Sequence, residues 1–314
     1  MRAPIRLTTL LALAWVLAWA GGRSPAQAGV SFRVATYNLE NYILQPADGR
    51  TPKTAEARAA IVDAIAGLDP DVLAVQEIGG LEALQELRSA LKSRGKDFPY
   101  WELATGFDTN VQVAVLSKLV MTARRSHTNE AFLLSGRRIR VSRGFAEVEL
   151  RVHANYSFTL INAHLKSKRP VAIAEEAELR LEEARRLRQI VEARLQADPE
   201  LNLVVLGDFN DSQDSAPIRW IVGRGKLGLI DTRPPEFGQR HNANQHQGKK
   251  ERRPVAWTHY FAREDSYSRV DYILLSSGLA QEWKPGSTYV LAFPEWGLAS
   301  DHRPLVATFE APAE

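Results

Sequence analysis

The sequence predicts one α/β domain over residues 29–314, behind a removable leader at residues 1–28. Strand-like apolar runs alternate with amphipathic helical segments to the end of the chain, and no internal repeat or Pro/Ser-rich linker divides them. Of the 314 residues, 45% are hydrophobic and 25% charged, an ordinary globular balance that excludes wholesale disorder and collagen-like repeats. There is no cysteine, so a disulfide framework, a zinc finger and a thiol nucleophile are excluded as well.

The leader has three parts. Arg2 and Arg6 form a basic start, Leu7 to Ala20 is uncharged and apolar, and Ala26-Gln27-Ala28 places small residues at the two positions a signal peptidase reads. A membrane anchor is the alternative, but 14 residues make roughly 21 Å of helix against about 30 Å of hydrocarbon. Cleavage after Ala28 and export to the periplasm or extracellular space are therefore expected, with no stable membrane insertion afterwards. The leader also explains the charge. The whole chain carries 40 basic and 37 acidic residues, a net +3, and Arg2, Arg6 and Arg23 lie in the leader with no acid. The remainder is balanced, 37 against 37, so any affinity for polyanions has to come from local clusters.

The elements follow in order. Ser31 to Leu39 alternates and reads as a strand. Lys53 to Leu68 is an Ala-rich helix with Ala57, Ile61, Ala64, Ile65 and Leu68 on one face, stopped by Asp69-Pro70. Asp71 to Gln76 is a buried strand, Leu81 to Ser93 a second amphipathic helix, and Val111–Ser117, Phe145–Val152 and Phe158–His164 are strands. Ala172 to Ala197 is the longest helix, with Ile173, Leu187, Ile190, Val191 and Leu195 on its buried side. Its Glu176/Arg180 and Glu182/Arg186 pairs are spaced for a solvated face. Leu203–Leu206, Arg269–Leu275 and Leu305–Phe309 are the late strands. Gln239 to Arg253 has almost no apolar residue and is expected to be an exposed loop.

Polar residues at the ends of these apolar runs carry the chemistry. They occur at Asn38-Leu39-Glu40, Gln76-Glu77, Asn162-Ala163-His164, Gly207-Asp208-Phe209-Asn210 and Ser300-Asp301-His302. Asp271 stands inside an otherwise apolar strand, where an acid is costly to bury without a partner. Taken singly, each has a structural explanation: Glu77 as a helix-capping acid, Asp208 to Asn210 as a turn, His164 as a satisfied buried histidine. As a set, they supply hard oxygen donors suited to Mg²⁺, Mn²⁺ or Ca²⁺ rather than copper or zinc, and two imidazoles suited to proton transfer near neutral pH.

In this order, Thr36-Tyr37-Asn38-Leu39-Glu40, Val75-Gln76-Glu77, Asn162 to Ser167, Gly207 to Asn210, Arg269 to Leu274 and Ser300 to Leu305 resemble the endonuclease/exonuclease/phosphatase superfamily. The resemblance spans Thr36 to Leu305. It implies a four-layer α/β sandwich, two packed mixed β-sheets flanked by helices, and a metal-dependent phosphoester hydrolase. It also implies roles. Glu77 would be the principal metal carboxylate, with Asn38 beside it and Glu40 and Asp301 as further metal-site acids. Asp208 and Asn210 would position or activate water and hold the phosphate. His302, oriented by Asp271, would sit at the scissile phosphate, and His164 would contact the phosphate or the leaving oxygen. Arg143 would match a phosphate-binding arginine. The implied cofactor is Mg²⁺, with Mn²⁺ or Ca²⁺ as alternatives. Whether Asp208 or His302 is the base, and whether one metal acts or two, stays open at this level.

Three readings of the substrate follow: a nuclease or other phosphodiesterase, a sphingomyelinase-like or sugar or inositol phosphate hydrolase, and a non-catalytic binding module. The matched positions all hold competent side chains, which disfavours the last. Basic residues in Gln239–Arg253 and at Lys166, Lys168 and Arg169 suit phosphate contacts. Phe293, Trp296 and Leu298 suit base stacking, lipid contact or simple packing. No contiguous apolar hairpin is evident, which favours a water-soluble substrate. The expected partner is a phosphoester, nucleic acid among the candidates, and the protein is expected to be a monomer.

Overall fold

Side chains that alternate along buried strands need an apolar partner on both faces, and here each face has one. In the computed structural model, which describes residues 29–236 and 256–314, strand β1 (Val30–Tyr42) sends Phe32 and Val34 to one side and Ala35, Tyr37 and Leu39 to the other, all buried. The residues of the predicted leader and of the predicted loop Gln239–Arg253 lie outside the described residues.

The remaining strands are β2 (Val72–Ile78), β3 (Tyr100–Ala104), β4 (Gln112–Ser117), β5 (Val120–Arg124), β6 (Ala131–Leu134), β7 (Arg137–Arg140), β8 (Phe145–His153), β9 (Tyr156–His164), β10 (Leu203–Asp208), β11 (Ile230–Asp231), β12 (His259–Phe261), β13 (Ser266–Ser268), β14 (Asp271–Leu275), β15 (Tyr289–Val290) and β16 (Leu305–Ala311). The helices are α1 (Ala55–Leu68), α2 (Gly80–Ser93), α3 (Glu176–Ala197), α4 (Ala216–Val222) and α5 (Trp296–Ala299). Two six-stranded sheets form, in the orders β15-β16-β1-β2-β4-β3 and β11-β14-β10-β9-β8-β5. Both are mixed: β1 and β2 are parallel in the first, β9 and β10 in the second, with antiparallel neighbours around them.

Three apolar layers separate four structural ones. Phe32, Val34, Val115, Leu160, Leu206 and Ile273 pack between the sheets. Ala35, Val75, Ile61, Ile65, Leu84 and Leu87 join the first sheet to α1 and α2. Ile161, Val205, Leu187, Val191 and Ile218 join the second sheet to α3 and α4. This is the expected four-layer sandwich.

The sheets are also tied by a buried polar bridge. The Asn162 amide on β9 crosses the interior and donates to the Val75 carbonyl at 3.0 Å and the Ala114 carbonyl at 2.9 Å. Its oxygen accepts from Gln76 Nε2 at 2.8 Å, and Gln76 donates in turn to the Thr36 hydroxyl at 3.0 Å. Low dielectric strengthens such bonds, and leaving one unmade inside the core is costly.

The long helix differs from its sequence pattern. It begins at Glu176, after a turn in which Val171 bridges Ala174, so Ile173 is exposed rather than on the buried face. Arg180 is buried, not solvated. It pairs with Asp211 at 2.9 Å and donates to the Lys166 carbonyl, because the helix covers the loop after β9. Glu182 pairs with Arg185, and Arg186 with Glu130. Tertiary partners displaced the i, i+4 pairing that spacing alone suggests. Replacing Asn162 by Leu removes three cross-sheet bonds and strands their partners. It should lower stability by about 3 kcal/mol, read as a drop in the urea midpoint, and an unchanged midpoint would contradict the bridge.

Candidate active site

The parallel pairs determine where the polar strand ends meet. In the first sheet Asn38 is level with Gln76, and in the second Asp208 is level with both His164 and Asp271. Because β16 runs antiparallel to β1 from Thr36 opposite Leu305, the preceding Asp301 and His302 return to the same edge. All of these residues gather at one rim of the sandwich, at the carboxyl ends of the parallel strands, where open sheets leave room for ligands.

Backbone irregularities aim the side chains. Glu77 lies at a bulge in β2 with φ +62°, and Glu40 and Asn41 lie at the matching bulge in β1 with φ +48° and +55°. Asn210 follows at φ +53°. Such left-handed conformations are costly for ordinary residues and are held only by surrounding contacts. Here Asn41 N donates to Glu77 Oε2 at 2.8 Å, and Asn210 N to Asp208 Oδ1 at 2.8 Å. Gly207, at φ +129°, lets the β10 backbone approach β9: a Cβ there would stand 2.0 Å from the Ala163 carbonyl oxygen.

Asp208 is the centre of the cluster. Its Oδ2 accepts from Asn38 Nδ2 at 2.9 Å, across the two sheets, and from Asn210 Nδ2 at 3.2 Å. The Nε2 atoms of His164 and His302 lie 3.4 and 3.8 Å from the same oxygen. His302 Nδ1 donates to Asp271 Oδ2 at 2.8 Å. The Thr258 hydroxyl accepts from both Val270 N and Asp271 N, which secures the start of β14. Glu77 is more open than Asp208. Its Oε1 is 3.5 Å from Asn38 Nδ2 and 3.8 Å from His164 Nε2.

The flanking residues are placed as follows. Ser300 donates to the Asn38 carbonyl and accepts from His302 N, locking the loop before β16 onto β1. Glu40 is engaged by Lys53 Nζ at 2.9 Å and by Asp301 N at 3.2 Å. Asp301 stands 3.8 Å from His302 Nε2 and 3.6 Å from His259 Nε2. Arg143 donates to the Leu165 carbonyl, which also accepts from Asn210, so it borders the His164 side. Arg143 shares Asp108 with Arg50. The sequence-predicted residues thus converge, with Glu40 turned toward Lys53. His259, Lys53 and Thr258 are the neighbours that sequence reasoning missed. Lys166 spends its ammonium on the Ser167 and Arg169 carbonyls.

Burial and charge set the protonation states. Burial pushes Asp208 up to about 6, with Asp271 adding to the rise and His302 opposing it. Burial also disfavours charge on His302, but Asp271, Asp208 and Asp301 outweigh it and hold the imidazole well above its usual range. His164 goes the other way: burial, then the charges of Arg143, His302 and Arg50, push it well below that range. Its Nδ1 is buried without a partner. The site therefore offers one cationic and one neutral imidazole on either side of a carboxylate.

For a divalent ion, Glu77 is the open carboxylate at the rim, and Asp301, partly exposed, offers another; Asn38 lies beside Glu77 with its Nδ2 toward that carboxylate and its Oδ1 accepting from Glu40 N at 2.9 Å. Two triads of closely spaced donors also occur among the described residues, Asp208-Asp271-His302 and His259-Asp301-His302. The first is buried and internally bonded through the His302–Asp271 contact, which leaves Asp271 Oδ1 buried without a partner.

The sequence profile of the Endonuclease/Exonuclease/phosphatase family matches residues 35–302. No curated protein matches the sequence significantly. Solved structures share the fold at low identity. The human Nocturnin catalytic domain with bound sulfate anion is 17% identical with a TM-score of 0.59, covering 89% of this chain and 94% of its own. Truncated Caenorhabditis elegans TDP2 is 16% identical with a TM-score of 0.55, covering 90% and 98%. Sphingomyelinase C from Streptomyces griseocarneus is 20% identical with a TM-score of 0.53, covering 90% and 100%. With the match spanning nearly all of the described domain, the chain belongs to the endonuclease/exonuclease/phosphatase family, whose members are hydrolases of phosphoester bonds.

Proposed function

We propose that residues 29–314 form an exported, Mg²⁺-dependent phosphodiesterase, acting first of all as a nuclease. The observation that carries this reading is Asp208, held by Asn38 and Asn210 between two imidazoles of opposite charge preference. Export rests on the leader pattern of residues 1–28. Among the described residues no helix is long and apolar enough to cross a membrane.

A phosphodiester is anionic and repels hydroxide, so the site has to place positive charge around the phosphoryl group and remove a proton from water. His302, held cationic by Asp271, faces the developing charge and donates a hydrogen bond from Nε2. Neutral His164 donates or accepts at the opposite side, toward the leaving oxygen. Asp208, near neutrality in its proton affinity and fixed by two amides, receives the water proton, and Asn210 holds its carboxylate in place. Arg143 borders the phosphate on the His164 side. Glu77 would hold the divalent ion, with Asn38 beside it and Asp301 as a further carboxylate, and Glu40, engaged by Lys53, supports Asp301. When bound, the ion supplies Lewis-acid polarisation of a phosphoryl oxygen.

Nucleic acid is favoured by an aromatic group beside His302. Trp257 packs against Tyr267 and Trp296 at centroid distances of 4.8 and 5.1 Å, and Tyr267 is exposed. Flat rings next to a phosphate site suit stacked bases. A lipid phosphodiesterase is the second reading, because Phe261 and Tyr267 on the β12–β13 hairpin and Leu298 on α5 are exposed near the same rim. A panel of plasmid DNA, RNA, sphingomyelin vesicles, inositol phosphates and bis(p-nitrophenyl) phosphate, with Mg²⁺ and with EDTA, separates them. Cleavage of DNA or RNA that EDTA abolishes is expected. Lipid hydrolysis alone would select the second reading, and no hydrolysis of any member would overturn both.

His302→Ala should lower kcat/KM on bis(p-nitrophenyl) phosphate by about 100- to 10,000-fold, and unchanged hydrolysis would remove this mechanism. Asp271→Asn, which keeps the shape but not the charge, should cost up to about 10,000-fold. Activity needs Asp208 ionised and His302 protonated. The rate should therefore rise as pH passes about 6 and fall again above the ordinary histidine range. A flat profile between pH 5 and 7 would contradict the assignment of Asp208 as the base.

A further inference from the structure

His259 has no part in the mechanism above, yet it is built into the rim as firmly as His302. The two residues face each other in an isolated antiparallel bridge. Tyr260 N donates to the Asp301 carbonyl at 2.9 Å, and Arg303 N to the Thr258 carbonyl at 2.7 Å, so the backbones on either side are fixed in register. The rings lie 4.5 Å apart, tilted by 40°, with the Asp301 carboxylate reached by both.

We propose that His259, Asp301 and His302 form a binding site for a borderline transition-metal ion, Zn²⁺ foremost, which shares Asp301 with the divalent-ion site but does not use Glu77. One ligand atom from each lies within 4.8 Å of the others. His259 Nε2 and His302 Nε2 stand 3.6 and 3.8 Å from the Asp301 oxygens. Donors about 2.0–2.2 Å from a tetrahedral ion are roughly 3.3 Å from one another. Small side-chain rotations therefore close the tripod. The set is two imidazole nitrogens and one carboxylate, which suits Zn²⁺ or Co²⁺ and is a poor match for Mg²⁺. His302 Nδ1 already donates to Asp271, the outer carboxylate that commonly orients a metal-bound histidine and leaves Nε2 free to ligate. His259 is partly exposed, which gives an ion a route in from the rim.

Binding replaces the proton on His302 Nε2, which passes to solvent, with a bond from the nitrogen lone pair to the ion. The same nitrogen serves the proposed hydrolysis, so an ion held here inhibits it. That consequence rests on the functional reading above, whereas the binding itself does not.

Two measurements separate the claims. Isothermal titration of the folded protein with Zn²⁺, in excess Mg²⁺, should show one site, and Co²⁺ should give visible absorption of a low-coordinate ion with nitrogen ligands. His259→Phe, which keeps a ring over His302, and Asp301→Asn should each weaken Zn²⁺ binding by at least about tenfold, with circular dichroism confirming the fold. Glu77→Gln should leave it in place. Unchanged affinity in both His259→Phe and Asp301→Asn, or loss only in Glu77→Gln, would overturn the site. In hydrolysis assays Zn²⁺ should suppress the wild type more than His259→Phe, each relative to its own zinc-free rate. An absence of hydrolysis would defeat the functional reading and leave the titration result standing.

Discussion

The arrangement depends on polar bonds that cross from one sheet to the other. Apolar packing between the sheets is non-directional and would tolerate a slide of one against the other. The Asn162 amide would not, because its partners Val75 and Gln76 lie on β2 and its partner Ala114 on β4 of the opposite sheet. Two residues further along β9 stands His164, and Asn38 reaches from β1 to Asp208 on β10. The same register that pairs the Asn162 amide across the sheets therefore sets the spacing between Glu77 on one sheet and Asp208 and His164 on the other.

Strain is concentrated at the same edge. Glu40, Asn41, Glu77 and Asn210 all take left-handed backbone conformations within the cluster. Each is secured by a nearby hydrogen bond or ion pair, and the two bulges move Glu77 out of the buried ladder toward the rim. A regular strand would have placed that side chain in the alternating pattern and left the acid in the core. The charge pattern follows from this geometry. Asp271 sits behind His302 and makes it cationic, whereas His164 faces the Arg50 and Arg143 side and stays neutral.

Much of this was legible in the sequence. Asp271 in an apolar strand announced a buried partner, and His302 is that partner. The blocks at Asn38, Glu77, His164, Asp208 and Asp301 announced one sheet edge, and they meet there. Other features had no local signal. His259 follows Trp257 and Thr258 in a short hairpin with no apolar period, and only pairing with His302 gives it a place. Asn162 read as a strand-end polar residue, because nothing along its own strand shows a partner on the opposite sheet. Arg180 fitted a solvated helix face until tertiary contact with Asp211 took it inside. The edge strands β3 and β5 and the β6–β7 ribbon are largely half-buried or exposed; β3, β5 and β7 lack the continuous apolar runs by which the central strands were recognised, and β6, though apolar, pairs only with β7.

In the proposed mechanism a phosphoryl group lies between His164 and His302, with Asp208 as its neighbour and a divalent ion at Glu77. The most direct measurement is a crystal structure with Mg²⁺ and a slowly hydrolysed phosphorothioate diester. The phosphorus is expected between the two imidazoles, a water within hydrogen-bond reach of Asp208, and the ion on Glu77. A phosphoryl group bound away from both histidines, or an ion that leaves Glu77 uncoordinated, would contradict this mechanism.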